Sequence, residues 1–387
     1  MSGDRYVDTV PALAEVVAAC RAEPLIAVDT EAASFHRFLD RVYLIQLSTR
    51  STTVIIDPLP FRDLAPLGDL LAESTVEKVF HDADYDLRIL DRDYGFRPRH
   101  LFDTRIAAQL AGEQAIGLAA LLEKYVGVKL SKAHQRADWS QRPLPPDMLA
   151  YAAADTRHLP ALRDSLRARL LALHRLAWVE EEFERLEDLR WSGGGPADAA
   201  EAFLRIKGAR TLMPRQLAAL RALVAWRDGV AAAQDRATFR IVGNEALLAV
   251  SRVLPRSAEA LAAIHELPAS LARRHGSALL ESVERALALP EHDLPRRERV
   301  VRFAKDPDLD ARVERLKGVR DVVARQLGLD PGVLCGKTTL EIIARAHPMD
   351  RAGLTRIAEL RRWQVETLGD ALLRALGGGR PPTGAKS

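Results

Sequence analysis

The sequence predicts a mixed α/β layered domain followed by two small all-α domains. Three observations carry this expectation. Short apolar and β-branched runs crowd the first 110 residues, strand signals nearly vanish beyond a Gly-rich break at Trp191–Pro196, and the second half repeats itself at a spacing of 93 residues.

The elements follow in order. Leu25–Asp29, Val42–Ser48 and Thr53–Asp57 read as strands, spaced closely enough for an antiparallel meander. Val76–Phe80 reads as a fourth strand, followed by a helix over Ala83–Asp93, and Arg99–Asp103 as a fifth. From there to Arg190 the pattern is helical, with a loop from Leu130 to Pro146. Residues 200–376 show helical periodicity broken at prolines and Gly243. A shift of 93 positions lays Arg227-Asp228 on Arg320-Asp321, Gly243 on Gly336, Pro255 on Pro348, Leu261 on Leu354 and Gly276 on Gly369. Breaker and core positions match in register, as two copies of one fold require. The expected domains are 1–195, 205–292 and 298–380.

Composition bounds the function. The 387 residues are 48% hydrophobic and 28% charged, with no run long enough to span a membrane. The start MSGDRYVDTV lacks a secretory pattern, and the two cysteines, Cys20 and Cys335, read as free thiols. A cytoplasmic protein is expected. Residues 1–190 carry 24 Lys and Arg against 30 Asp and Glu, a net −6, while the remainder is net +9. An acidic module joined to a basic one suits a metal-dependent nuclease with an appendage that holds nucleic acid.

Acids at unusual places point to the chemistry. Asp29 and Glu31 end the apolar run Leu25-Ile26-Ala27-Val28, and as alternate residues of an extended segment they share one face. Tyr151 and Asp155 lie four apart in a helical segment and also share a face. Asp86 opens the helix after the fourth strand, with Asp82 and Asp84 as alternatives beside it. Carboxylates at a buried strand end are costly unless paired. Divalent cations are apt partners, because hard cations take oxygen ligands and a pair of them clamps both oxygens of a phosphoryl displacement. Tyr151 then orients a water, since a phenol of ordinary pKa about 10 is a poor base.

The order DTE (Asp29–Glu31), HxxxxDL (His81–Leu87) and YxxxD (Tyr151–Asp155) resembles the DEDDy group of 3′→5′ exonucleases. Leu44-Ile45-Gln46-Leu47, Phe102-Asp103-Thr104 and the Asp138–Leu144 segment narrow the resemblance to the ribonuclease D family over essentially the whole chain. The two repeats resemble the helicase-and-ribonuclease-D C-terminal (HRDC) domain, with Trp226-Arg227-Asp228 in the first copy and Val319 replacing the tryptophan in the second. The resemblance implies an RNase H-like sheet of three antiparallel and two parallel strands. It also implies two Mg²⁺ or Mn²⁺ ions on Asp29, Glu31, Asp86 and Asp155, with Tyr151 beside the attacking water. Removal of 3′ nucleotides as 5′-monophosphates, typically from tRNA precursors, follows from the same resemblance.

Other residues have two readings each. Phe35, His36 and Arg37 either meet the terminal nucleotide or pack a loop. His81 either fixes backbone or binds substrate. Lys132, Gln135 and Arg142 either contact phosphate or stand in a loop packed down by Trp139, Pro143 and Leu144. In the repeats, Arg227, Arg236, Arg240, Arg320, Lys337 and Arg345 are candidates for following RNA phosphates. The expected partner is structured RNA, bound by a monomer without membrane attachment. A 3′→5′ DNA exonuclease and a non-catalytic RNA-binding scaffold are the alternatives.

Overall fold

A computed structural model describes residues 4–131, 133–193, 201–295 and 308–377. The first part holds β1 (Arg5–Val7), α1 (Val10–Arg21), β2 (Leu25–Ala32), β3 (Val42–Ser48), β4 (Thr53–Ile56), α2 (Ala65–Ala72), β5 (Glu77–Phe80), α3 (Asp84–Tyr94), β6 (Leu101–Asp103), α4 (Thr104–Leu110), α5 (Leu118–Val126), α6 (Pro146–Arg157), α7 (Leu159–Ala172) and α8 (Leu176–Glu187). The strands form one sheet in the order β1-β4-β3-β2-β5-β6. β2, β3 and β4 are antiparallel, while β5 runs parallel to β2 and β6 parallel to β5. That is the expected arrangement of three antiparallel and two parallel strands.

A sixth strand, β1, adds to it, parallel to the edge of β4. Three residues are too few to show alternation, so only pairing reveals this strand. α1 and α2 were also not anticipated. α1 nevertheless buries Leu13, Val16, Val17 and Cys20 on one face, against Val7 and the β2–β3 core. β6 starts at Leu101 rather than Arg99, because His100 takes a left-handed φ of 56° that interrupts the extended chain. α3 ends as helices commonly do, on a glycine, Gly95, at φ 68°.

Every residue of β3 is buried, since helices cover both faces of the sheet. Ile45 and Leu47 join the core that contains α1, whereas Leu44 packs with Ala152 and Ala153 of α6. Ser48 hydrogen-bonds Thr156 of α6 at 2.7 Å. α6 therefore lies across β2, β3 and β4. The loop before it is held by Trp139, which is 1% exposed, and by Arg142. The Arg142 guanidinium donates through Nε and one terminal nitrogen to the buried Asp57 carboxylate, at 2.5 and 2.9 Å. It also donates to the carbonyls of Tyr43, Trp139 and Gln141. Its donors are thus committed to the fold, which corrects the phosphate-contact reading of Arg142.

The repeat is visible as structure. Helices Asn244–Val253, Ala258–Ala262 and the start of Ala269–Ala288 recur at Lys337–Ala346, Arg351–Thr355 and Arg362–Leu376, each displaced by 93. Leu254 and His347 take the same left-handed C-cap. Arg227 pairs with Asp228 and reaches Asn244 Oδ1, and Arg320 pairs with Asp321 and reaches the Cys335 carbonyl. These two arginines tie the first long helix of each copy to the next. Their candidacy for RNA phosphates is corrected accordingly.

The copies attach differently. Core residues of the second copy, from Val313 to Leu376, are continuous with the core of the sheet domain. Trp363 stacks on Trp178 of α8 at 4.8 Å and 16°, Glu181 accepts from the Arg362 and Trp363 amides, and Arg361 pairs with Glu182. The first copy has a separate core. It meets the sheet domain through the segment after Glu31: Arg240 Nε donates to the Phe35 carbonyl at 2.7 Å, the Ala237 amide to the His36 carbonyl, and the Phe38 amide to Asp235.

Gly112 marks how closely the second copy approaches. It takes φ +86°, and a Cβ there would lie 2.6 Å from the Gly328 carbonyl oxygen. Gly95 also needs a positive φ but has open space around it. Gly95→Ala should therefore cost only the conformational penalty, about 1–2 kcal/mol. Gly112→Ala should cost clearly more and lower the melting temperature further, as side-by-side calorimetry of the two variants will show.

Candidate metal centre

The sheet brings Asp29 and Glu31 to the end of β2, on the face covered by α6. A register shift between Glu31 and Ala32 interrupts the β2–β3 ladder just before its last pair, Ala32 with Val42, a device that re-aims side chains beside functional sites. α6 delivers Asp155 and, one turn earlier, Tyr151. One carboxylate oxygen each from Asp29, Glu31 and Asp155 lie within 4.8 Å of one another. Among the described residues this is the one group of acidic, histidine or cysteine side chains so arranged.

Asp86 stands beside this triplet rather than within it. It is 7% exposed, and its carboxylate accepts from the Thr30 hydroxyl, on the strand residue between Asp29 and Glu31. Its position is set from below. The buried Asp103 caps α4 and accepts from the Ala83 amide at 2.7 Å, fixing the turn that opens α3. Asp82 pairs with Arg105 and Asp84 with Arg88, so both neighbouring acids are engaged at the surface.

The electrostatics of the cluster are unfavourable. Burial, followed by repulsion from Asp86, Glu31 and Asp155, pushes the Asp29 carboxyl well above its ordinary range. Burial, then Asp155 and Asp86, does the same to Glu31. Burial raises Asp86 to about 7 although the Thr30 hydroxyl favours its anion. Burial also raises Asp155 to about 7, against a hydrogen bond from Tyr151. Two unit charges about 4 Å apart repel by about 4 kcal/mol at an effective dielectric near 20. No lysine or arginine forms an ion pair with any of these four acids among the described residues. A half-buried, oxygen-only donor set with this excess of negative charge fits hard divalent cations.

Tyr151 is held between Trp139 and His134, at ring separations of 6.1 and 5.7 Å. Burial, then the negative charges of Asp155, Glu31 and Asp29, raises its pKa, so the phenol keeps its proton. A cleft of about 400 Å³ opens over the acids and is lined by Asp29, His81, Gln135, Tyr151 and Asp155. His81 is pushed down to about 4 by burial and is neutral. Its Nδ1 lies 2.9 Å from Thr104 Oγ1, whose hydroxyl donates to the Phe80 carbonyl. The hydroxyl therefore accepts from Nδ1–H, which leaves Nε2 an acceptor.

Among the remaining candidates, Gln135 lines the cleft, whereas Lys132 lies outside the described residues. His36 is engaged in the seam with the first repeat: Nε2 lies 2.9 Å from the Arg136 carbonyl, and Nδ1 faces Arg240 at 3.2 Å. Phe35 is 45% exposed and meets Phe239 of the first repeat edge-on at 6.2 Å. Phe239 and His134 were missed in the sequence because nothing local marks either one. Asp103 was quoted there only as motif text, and its capping role follows from the fold.

Comparison with known proteins agrees with this geometry. A family model for a 3′-5′ exonuclease matches residues 5–171, and an HRDC domain model matches 216–283 and 310–376. Ribonuclease D of Acidiphilium cryptum is 33% identical over 383 residues, covering 96% of this chain and 93% of that protein. Ribonuclease D of Pseudomonas paraeruginosa is 32% identical over 92% of this chain and 93% of its own length. The crystal structure of Escherichia coli RNase D, described as an exoribonuclease involved in structured RNA processing, superimposes with a TM-score of 0.72 at 28% identity, over 97% of this chain and 99% of that one.

The raised carboxyls give the metal-free protein a defined pH response. Asp86 and Asp155 titrate near 7 when folded and near 3.9 when unfolded. Between those values the folded state holds more protons, so metal-free stability should fall as pH rises from 4 through 7. Metal affinity should rise over the same window, because ligands must lose protons. At pH 8, Asp155→Asn should raise the metal-free melting temperature. It should also remove most of the gain that Mg²⁺ gives the native protein, about 2.7 kcal/mol at a hundredfold excess over Kd. Differential scanning fluorimetry with and without Mg²⁺ reads both effects.

Proposed function

Because the chain belongs to the ribonuclease D family and is a 3′→5′ exoribonuclease, we propose that it shortens structured RNAs by two-metal hydrolysis, releasing nucleoside 5′-monophosphates. Precursors of tRNA with 3′ extensions are the substrates proposed. The observation that supports this reading is the half-buried Asp29–Glu31–Asp155 triplet with the buried Asp86 at its side. These four carboxylates would hold two divalent cations, Mg²⁺ or Mn²⁺, which supply charge neutralisation at the phosphate and an acidified water.

The protein's own groups do the rest. The Tyr151 hydroxyl, kept protonated and braced by Trp139 and His134, orients the attacking water by hydrogen bonding. His81 presents Nε2 as an acceptor suited to a sugar hydroxyl. Gln135, with Lys132 three positions before it in sequence, is proposed to meet the last phosphates. Where the first HRDC domain meets the exonuclease domain, Phe35 and Phe239 expose two ring faces, with the Arg136 guanidinium 5.4 Å from the Phe35 ring and Arg240 alongside. Aromatic faces among cations suit the stacking of unpaired bases approaching the cleft. We assign the domains as 1–195, 205–292 and 298–380, of which 1–3, 132, 194–195, 298–307 and 378–380 lie outside the described residues. The protein is proposed to act as a monomer in the cytoplasm. No described helix is long and apolar enough to cross a membrane.

A 3′-extended tRNA labelled at its 5′ end tests the reading. With Mg²⁺ or Mn²⁺ it should yield a ladder that shortens from the 3′ end, and EDTA should stop it. Asp155→Ala should bind the RNA and leave it intact. Tyr151→Phe should slow kcat by about a hundredfold, the order expected when a reacting group loses its alignment. An RNA that stays bound and uncut by the native protein with metal present would overturn the proposal. Phe239→Ala should raise KM for a single-stranded 3′ extension about tenfold, the cost of one lost stacking contact, with a smaller effect on kcat in steady-state assays.

A further inference from the structure

Gln46 is the cross-strand partner of Asp29 in the β2–β3 ladder. Residues directly opposite in an antiparallel pair project to the same face, with Cβ atoms about 5 Å apart. That face is the one α6 covers, as the hydrogen bond from Ser48, two residues along β3, to Thr156 shows. Gln46 is 0% exposed, and neither its amide nitrogen nor its carbonyl oxygen has a hydrogen-bond partner. The other buried unpartnered atoms are single atoms of Asp40 and of the ion-paired Glu77 and Arg163. Among the described residues, Gln46 alone leaves a whole amide unused.

An amide buried with both ends open is costly, and a leucine or methionine would fill the same space without that cost. The position beside Asp29 gives the amide a use. A carboxylate that binds a cation through one oxygen still offers the other as an acceptor. A neutral N–H donor can serve it without competing with the cation, as lysine or arginine would. We propose that Gln46 is a positioning residue of the metal centre: its amide, unpartnered in this structure, would donate to the Asp29 carboxylate once a cation is bound and hold it in its ligating orientation. This inference rests on reading the acidic cluster as a metal site.

The test is Mn²⁺ binding by isothermal titration calorimetry, with thermal melts in EDTA, on the full chain as native protein, Gln46→Met, Gln46→Leu and Ser251→Ala. Groups that orient metal ligands typically carry 10–100-fold in metal affinity. Gln46→Met should weaken Mn²⁺ binding by about that factor while its metal-free melting temperature stays level or rises. A merely structural glutamine would not separate the two readouts in this way. Ser251→Ala, at a buried polar side chain of the first HRDC domain that bonds only the Leu247 carbonyl, should bind Mn²⁺ within about twofold of the native protein. Gln46→Leu replaces Gln46→Met should the latter not fold. Native-like affinity in the Gln46 variant, or an equal loss in Ser251→Ala, would overturn the proposal. Absence of Mn²⁺ binding by the native protein would instead overturn the metal-centre reading on which it rests.

Discussion

Mutual repulsion among Asp29, Glu31, Asp86 and Asp155 is the constraint around which the exonuclease domain is built. Four carboxyls with raised affinities for protons can be held this close only by a frame that does not yield. The frame is visible in the surrounding bonds. β2 is anchored to β5 up to Ala27 and to β3 through Asp29 and Glu31, which keeps both acids on one face of the strand. Asp103 fixes the turn that aims Asp86, and Thr30 holds the Asp86 carboxylate. α6 brings Asp155 down onto the same face and is seated through Ser48, Leu44 and Trp139. The stability spent on holding these charges together is what makes the site receptive to cations, a case of strain concentrated where function needs it.

The two parts of the proposed substrate path are built from different materials. The acids and Tyr151 stand on a strand and a helix, which give precise placement. The outer contacts stand on the segments 33–41 and 134–142 and on the first HRDC domain, joined by the hydrogen bonds of Arg240, Arg37 and Asp235. The seam combines these hydrogen bonds with the Phe35–Phe239 contact and Phe38, which packs on the core of the first copy, whereas the second HRDC domain shares the apolar core on the α4–α8 side. The exonuclease fold is therefore completed by the second copy, while the first keeps its own core.

Much of this was legible in the sequence, for reasons specific to each element. Period-two placement of Asp29 and Glu31 and the four-residue step from Tyr151 to Asp155 encode direction locally, so their convergence followed from the strand and the helix. The repeat was legible because helix boundaries and the Arg–Asp pair recur without a gap. What was not legible depends on distant partners. β1 exists because β4 has an open edge. Arg142 turns inward because Asp57 is buried beside Tyr6. Arg227 and Arg320 looked like surface cations until the helices they link were in place. Gln46 read as strand text, and its isolation emerged only when Asp29 appeared opposite it.

The duplicated HRDC fold is docked by non-equivalent surfaces. Trp363, stacked in the interface of the second copy, corresponds to the exposed Ser270 in the first, and Arg361 corresponds to Pro268. Phe239 and Arg240, which serve the seam of the first copy, correspond to Gly332 and Val333. After duplication each copy thus kept its interior and changed its outward chemistry, so that one hides the surface the other leaves open. A nucleic acid lying along both would meet no repeated register of contacts. Such an arrangement reads overall shape, not a modular code with one unit per copy.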